Sequence, residues 1–246
     1  MISIVCVYNN REILEEFLLK SLKPQTSKHE IILMDNSKNR FKSAAEALNE
    51  GGKQAKGEYL MFVHQDVDLQ SYKWLENVEK TLNSLENLGI AGVAGRIKHQ
   101  DGIVTNIADG IPPQKIPSEE IKSPVKIQTL DECLFIIPRP VFETFKFDTK
   151  TCDDWHLYAT DYALTVQEAG LTAYVIPLFV YHRSPGYSYS KMFDVTLKKV
   201  LRKHWKELVI YTTMEEWVTF YPLKLQKKFP NMKYKVMTVL KKLDGN

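Results

Sequence analysis

The chain has 246 residues, 44% of them hydrophobic and 26% charged, with a formal net charge of +3. That length supports one substantial domain with its own core, or a domain and a small appendage. The near-neutral balance excludes binding to nucleic acid through bulk charge, and no run reaches the roughly 18–20 apolar residues of a membrane span.

In chain order, "ISIVCVYNN" opens with a continuous apolar run that predicts a strand buried on both faces. "REILEEFLLKSL" places Ile13, Leu14, Phe17, Leu18 and Leu22 at helical spacing before Pro24. "EIILMDNS" predicts a second buried strand ending at Asp35, Asn36 and Ser37. "SAAEALNEGGKQAKG" predicts a helix to Asn49, broken at Gly51 and Gly52. "EYLMFV" predicts a third strand, running into His64, Gln65, Asp66, Val67 and Asp68, and "SYKWLENVEKTLNSL" another amphipathic helix. Strand and helix alternate three times, which implies parallel strands with right-handed crossovers. "GIAGVAG" predicts a further strand, and the Pro- and Gly-rich stretch from Arg96 to Gln128 a long loop or hairpin. "TLDECLFIIPR" returns a strand, "DDWHLYATDYALTVQEAG" a helix with a glycine stop, and "LTAYVIPLFVYH" a last strand ending at His182, followed by "RSPGYS". Residues 191–246 carry 13 Lys plus Arg against 5 Asp plus Glu, net +8, leaving −5 on the first 190. The reading is an α/β domain over 1–190 and a basic, aromatic, helical extension over 191–246.

Ligands of open α/β sheets bind beyond the carboxyl ends of the strands. Asn9, Asn10, Asp35, Asn36 and His64 to Asp68 therefore fall along one rim. Asp66 is a candidate ligand for a hard divalent cation, and otherwise a solvated strand end. Asp68 reads as an N-cap of the following helix. His182 also closes an apolar strand, with imidazole as a second metal donor. Asp153 and Asp154 suit a helix N-terminus. Asp161 lies inside a helix where Asp is disfavoured, so it needs solvent or a task such as general base. The three cysteines Cys6, Cys133 and Cys152 form no CxxC pair and fit buried thiols in a reducing compartment. The N-terminal apolar run is too short for a signal peptide. The expected location is cytoplasmic, at most peripheral to a membrane.

The order "SIVCVYNN", "EIILMDNS", "LNEGGKQAKGEYLMFVHQDV", "LDECLFIIPRPVFETFKFD", then "YATDYALTVQEAGLTAYVIPLFVYHRSPG" resembles family-2 glycosyltransferases of the GT-A fold over about residues 2–187. The resemblance implies a mostly parallel mixed sheet flanked by helices, and an inverting enzyme that moves a sugar from a UDP-, GDP- or dTDP-sugar to a glycan or lipid-linked acceptor in cell-surface polysaccharide synthesis. It implies Mn²⁺ or Mg²⁺ held by Asp66, in the second position of a DxD motif, and by His182. It places Tyr8, Asn10 and Asp35 at the nucleoside, with Asn36, His64 and Gln65 on the same donor-binding rim. It points to Asp161 as base, with Asp154 next in line.

The sequence departs from that pattern in three places. His64 replaces the first Asp of DxD. The usual acidic pair ahead of the helix aligns with Tyr158 and Ala159. The helix arginine is absent from "TVQEAG". A nucleotidyltransferase and a non-catalytic nucleotide- or carbohydrate-binding homologue are the alternative readings. "YNNREIL" lacks the glycine-rich phosphate loop of the former. For the extension, amphipathic helices packed on the domain are the plain reading. The sharper one adds a face of cations and aromatics that meets anionic lipid headgroups.

Overall fold

The computed structural model describes residues 1–116, 120–184 and 192–244. Residues 117–119 of the long central segment, and Pro185 and Gly186 of the last loop, lie outside the described residues. The apolar runs form one seven-stranded sheet: β1 (Ile2–Tyr8), β2 (His29–Asp35), β3 (Tyr59–Val63), β4 (Leu88–Gly92), β5 (Val125–Lys126), β6 (Leu134–Pro138) and β7 (Thr172–Val175). Their order is β5-β7-β4-β6-β3-β1-β2. β1 pairs in parallel with β2 and β3, and β7 in parallel with β4. β6 runs antiparallel between β3 and β4, and β5 antiparallel along β7. The sheet is mixed and mostly parallel, as expected.

The two-residue period of a strand explains why these runs are apolar throughout. Ile2, Ile4 and Cys6 of β1, Tyr59, Met61 and Val63 of β3, and Leu134 and Ile136 of β6 pack on one face. Val5, Leu60, Phe62, Phe135 and Ile137 pack on the other. The first face is covered by the helical segment α1 (residues 11–22) through Leu14, Leu18 and Leu22. Trp74, Leu75, Val78 and Leu82 of α2 (Trp74–Asn83) complete that cover. The opposite face takes α3 (Ala44–Gln54, earlier in the chain than α2), α4 (Arg139–Thr144), α5 (Tyr158–Glu168) and α6 (Phe193–Lys203). Burying a Leu, Val or Phe side chain contributes roughly 1.5–3 kcal/mol, so both faces hold the sheet strongly.

Four local expectations change. The helix α3 does not break at Gly51 and Gly52 but runs on to Gln54. A Cβ on Gly51 would lie 2.4 Å from Val5 and one on Gly52 2.3 Å from Phe142, so these glycines let the helix approach β1 and α4. The segment from Asp153 is not helical from its start. Leu157 sits in the left-handed region (φ 66) and α5 begins only at Tyr158. Asp68 is not an N-cap. It lies in a two-residue strand and accepts a hydrogen bond from the Gln70 N–H at 2.8 Å, while Lys73 precedes the helix. The extension is not helical throughout. A hairpin, Val209–Tyr211 against Glu216–Val218, separates α6 from α7 (Leu223–Lys228) and α8 (Pro230–Asp244).

The extension shares the core of the domain. Phe193, Leu197, Val200, Leu201, Ile210 and Trp217 join the apolar face that contains α5 and β6. The Gln128 side chain bonds the Val209 carbonyl at 3.0 Å and the Tyr211 N–H at 2.9 Å. Arg96 pairs with Glu216 at 2.6 Å.

Candidate active site

A two-lobed cleft opens at the sheet edge where β1, β2 and β3 end. The larger lobe encloses about 540 Å³ and the smaller about 310 Å³; Val7, Asn9, His64 and Trp155 line both. Because β6 runs the other way, its beginning reaches the same edge. Asp131 and Glu132, just before it, therefore face the ends of β1 and β3 and line the larger lobe.

His64, Asp66 and His182 converge there, each offering one donor atom, all within 4.8 Å of one another. The local fold explains this. The His64 N–H donates to the Cys133 carbonyl at 2.9 Å, holding the turn after β3. The turn leads into Val67–Asp68, which pairs antiparallel with Tyr181–His182, with His182 opposite Val67. The Arg183 N–H donates to the Asp66 carbonyl at 3.0 Å. His182 Nε2 is thereby brought 3.4 Å from Asp66 Oδ1, an ion-pair contact rather than a well-aligned hydrogen bond, and among the described residues this buried nitrogen has no hydrogen-bond partner.

Electrostatics follow from that packing. Burial pushes the Asp66 carboxyl up, but the His182 and His64 rings outweigh it and hold the group at about 2. Burial pushes His182 down, and Asp66 outweighs it, so its pKa is raised. His64 is lowered by burial and by the neighbouring His182. Its Nε2 lies 3.0 Å from the Tyr158 hydroxyl, and its ring centroid 5.6 Å from that of His182. One carboxylate and two imidazoles form a donor set that can hold a divalent metal ion, and the imidazoles suit Mn²⁺ better than the oxygen-preferring Mg²⁺.

The rim residues divide. Tyr8, Asn36, His64, Gln65 and Asp66 line the smaller lobe. Gln65 locks the rim: its Oε1 accepts from the Asn9 and Asn10 N–H groups at 3.0 Å each, and its Nε2 donates to Asn9 Oδ1 at 2.8 Å. Asn36 is buried and its Oδ1 accepts from the Phe41 N–H at 2.8 Å. Asn10 is spent on capping α1, accepting from the Ile13 N–H at 3.1 Å. Asp35 is exposed, accepts from the Ser37 N–H at 2.8 Å and lies outside both lobes; that hydrogen bond lowers its pKa.

Neither predicted base faces the cleft. Asp161 is 2% exposed and points away from the cavity, towards α6. There its carboxylate meets Lys203 Nζ at 2.8 Å and His204 Nε2 at 2.9 Å. Its place inside a helix reflects this buried ion pair. Asp154 is buried beside the start of α3, its carbonyl accepting from the Ala44 N–H at 3.2 Å, and does not line the cavity. Among the described residues, the acids that line the larger lobe are Asp131 and Glu132. Asp131 is held by the Thr213 hydroxyl at 3.0 Å and the Cys133 N–H at 3.0 Å. Glu132 lies 3.9 Å from His156 Nδ1, and its other oxygen is buried with no hydrogen-bond partner among the described residues. The sequence signal for these two was "DE" at the foot of an apolar strand, visible only once that strand's direction is known.

A family model described as "Glycosyltransferase like family" matches residues 2–238. The chain belongs to this glycosyltransferase-like family. Solved structures with the same architecture include S. aureus TarS residues 1–349, at TM-score 0.58 and 15% identity, covering 84% of this chain and 65% of that one. GalNAc-T7 with UDP, GalNAc and Mn²⁺ aligns at TM-score 0.57 and 14% identity, covering 82% and 48%. The mannosyltransferase PcManGT from Pyrobaculum calidifontis, in complex with GDP-Man and Mn²⁺, aligns at TM-score 0.56 and 15% identity, covering 84% and 63%. The chain thus spans under two thirds of each of these proteins. No curated protein sequence matches it. At such identities the likeness speaks for the fold, and this glycosyltransferase-like domain is a GT-A fold. Among the described residues, no helix is long and apolar enough to cross a membrane.

Proposed function

We propose that this domain transfers a sugar from a nucleoside-diphosphate donor to a hydroxyl acceptor, inverting the anomeric centre, with Mn²⁺ or Mg²⁺ held by Asp66, His182 and His64. The observation that carries this reading is the position of that cluster. His64 lines both lobes, Asp66 the smaller and His182 the larger. The smaller lobe, with Tyr8, Asn36 and Gln65, takes the nucleoside and diphosphate, and the larger takes the transferred sugar and the acceptor. A divalent cation there neutralises the charge that grows on the diphosphate as the sugar bond breaks. Trp155 lines both lobes and presents an apolar wall across the junction.

The donor is a UDP-, GDP- or dTDP-sugar. TarS in complex with UDP-GlcNAc and PcManGT in complex with GDP-Man support that class. The acceptor is a glycan or lipid-linked saccharide of cell-surface polysaccharide synthesis, met at the cytoplasmic face of a membrane. Support for the membrane contact comes from a groove on the extension, about 560 Å³, lined by Lys198, Arg202, Trp205, Phe220 and Lys224 among others and by no acidic residue. Trp205 and Phe220 are 62% and 60% exposed. Such rings and cations suit an anionic headgroup layer.

The test is a panel of UDP-, GDP- and dTDP-sugars, read as free nucleoside diphosphate with Mn²⁺ and with chelator. At least one donor should release its nucleotide only with metal. No metal-dependent binding or release across the panel would overturn the proposal.

A further inference from the structure

Resting on the transfer reading above, we infer that Glu132 is the catalytic residue that takes the proton from the acceptor hydroxyl, and that His156 is its positioning residue. Three observations place it there. Glu132 lines the larger lobe together with His64 and His182, so it shares one cavity with the donor junction. One of its oxygens is buried with no hydrogen-bond partner among the described residues, although a buried carboxylate oxygen normally has one. And the carboxylates expected in this role do not face the cavity, Asp161 being tied to Lys203 and His204.

The surroundings suit the task. Burial raises the Glu132 pKa, against the opposing pull of His156 and the Tyr158 N–H; Asp131 pushes it further up. A base works best with a pKa near the working pH. His156 is raised by Glu132, over the opposing effect of burial, with Asp154 adding to it. Its ring is set edge-on to Phe193 at 5.6 Å, so α6 fixes its orientation. Among the described residues, the titratable groups that face Glu132 include Asp131, His156, Tyr158 and Cys152.

The step balances without a co-reactant. The acceptor oxygen forms a bond to the anomeric carbon, the bond from that carbon to the diphosphate oxygen breaks, and its electron pair leaves with the diphosphate. The acceptor O–H bond breaks and its proton passes to the Glu132 carboxylate.

The full chain is used, with water or sugar as acceptor. Binding of UDP and GDP with Mn²⁺ is measured by calorimetry, and turnover as nucleoside diphosphate released from the donor panel. Glu132→Gln should keep nucleotide affinity and lose roughly 10²–10⁴-fold in turnover. His156→Asn should lower kcat by less than Glu132→Gln does and move the acid limb of the kcat profile to higher pH, because the carboxylate loses the imidazole that lowers its pKa. Glu132→Gln turnover within about threefold of wild type, or an acid limb unmoved in His156→Asn, would overturn the inference and leave the donor reading intact. Wild-type chain that binds nucleotide with Mn²⁺ but releases none would also overturn it. Failure of wild type to bind UDP or GDP with Mn²⁺ would overturn the donor reading itself, and this role with it.

Discussion

Replacing Asp161 by Asn separates a structural carboxylate from a chemical one. Asp161 is 2% exposed and accepts from Lys203 Nζ at 2.8 Å and His204 Nε2 at 2.9 Å; the His204 side chain is fully buried. Asn keeps the size but removes the charge, leaving the His204 imidazole and the Lys203 ammonium short of a partner. Breaking a buried pair by removing one member costs about 3–5 kcal/mol. Two features reduce that. Lys203 keeps Asp148 at 3.2 Å with 28% of its side chain exposed, and His204 keeps Glu168 at 2.7 Å. A cost at or just below the bottom of that range, about 2–3 kcal/mol, is therefore expected. With a urea slope of about 2–3 kcal/mol per M, the unfolding midpoint should fall by about 1 M. Urea denaturation followed by tryptophan fluorescence reads this directly. Nucleotide release under native conditions should stay within about threefold of wild type. The double variant Asp161→Asn, Lys203→Met should recover part of the loss, since the two sites couple. An unchanged midpoint together with a hundredfold loss of turnover would refute the argument and return Asp161 to the chemistry.

Three further outcomes follow from the site and the extension. Asp66→Ala should abolish Mn²⁺-dependent binding of UDP or GDP in calorimetry while leaving the circular dichroism spectrum unchanged; retained metal-dependent affinity would remove Asp66 from the metal site. The folded-state pKa of His204 is raised above 6.5, because Asp161 and Glu168 outweigh its burial. Its contribution to stability is therefore complete below the unfolded value and is lost as pH rises through the folded one. The stability difference between wild type and His204→Gln, by urea titration from about pH 6 to 9, should shrink with rising pH; a difference that grows instead would invert the assigned sign. In co-sedimentation, anionic vesicles should retain the protein and neutral vesicles should not, with each exposed Lys near the surface contributing roughly 1 kcal/mol. Lys→Glu at Lys198 and Lys224 should release it, and equal recovery with both vesicle types would leave the groove without a lipid role.

The strands were legible because burial on both faces leaves an unbroken apolar run, as in "ISIVCVY" and "EYLMFV". Their rim followed from chain direction alone, which is why Asp66 and His182 were read as metal candidates and His64 as a rim residue, while the join of His64 to that cluster came only from the packing. Strand direction at β6 was not legible, since nothing in "CLFIIP" distinguishes parallel from antiparallel pairing. Asp131 and Glu132 were therefore not read as rim residues. Asp161 misled for a related reason. Its unfavourable place in a helix signalled a task, but its partners Lys203 and His204 stand some forty residues later and meet it only through packing. The glycine pair in α3 likewise read as a break, when the close approach to Val5 and Phe142 is what requires it.

The hairpin of the extension has its tip, Thr212, Thr213 and Met214, in the wall of the larger lobe, where Thr213 also holds Asp131. The last quarter of the chain is thus part of the mould around whatever enters that lobe. On the function proposed above, grafting the extension of a relative onto this domain would exchange a piece of the wall around the acceptor, and with it the preference among acceptors. Variation at three turn positions gives a compact library for redirecting that preference, one that leaves the metal cluster and the donor lobe untouched.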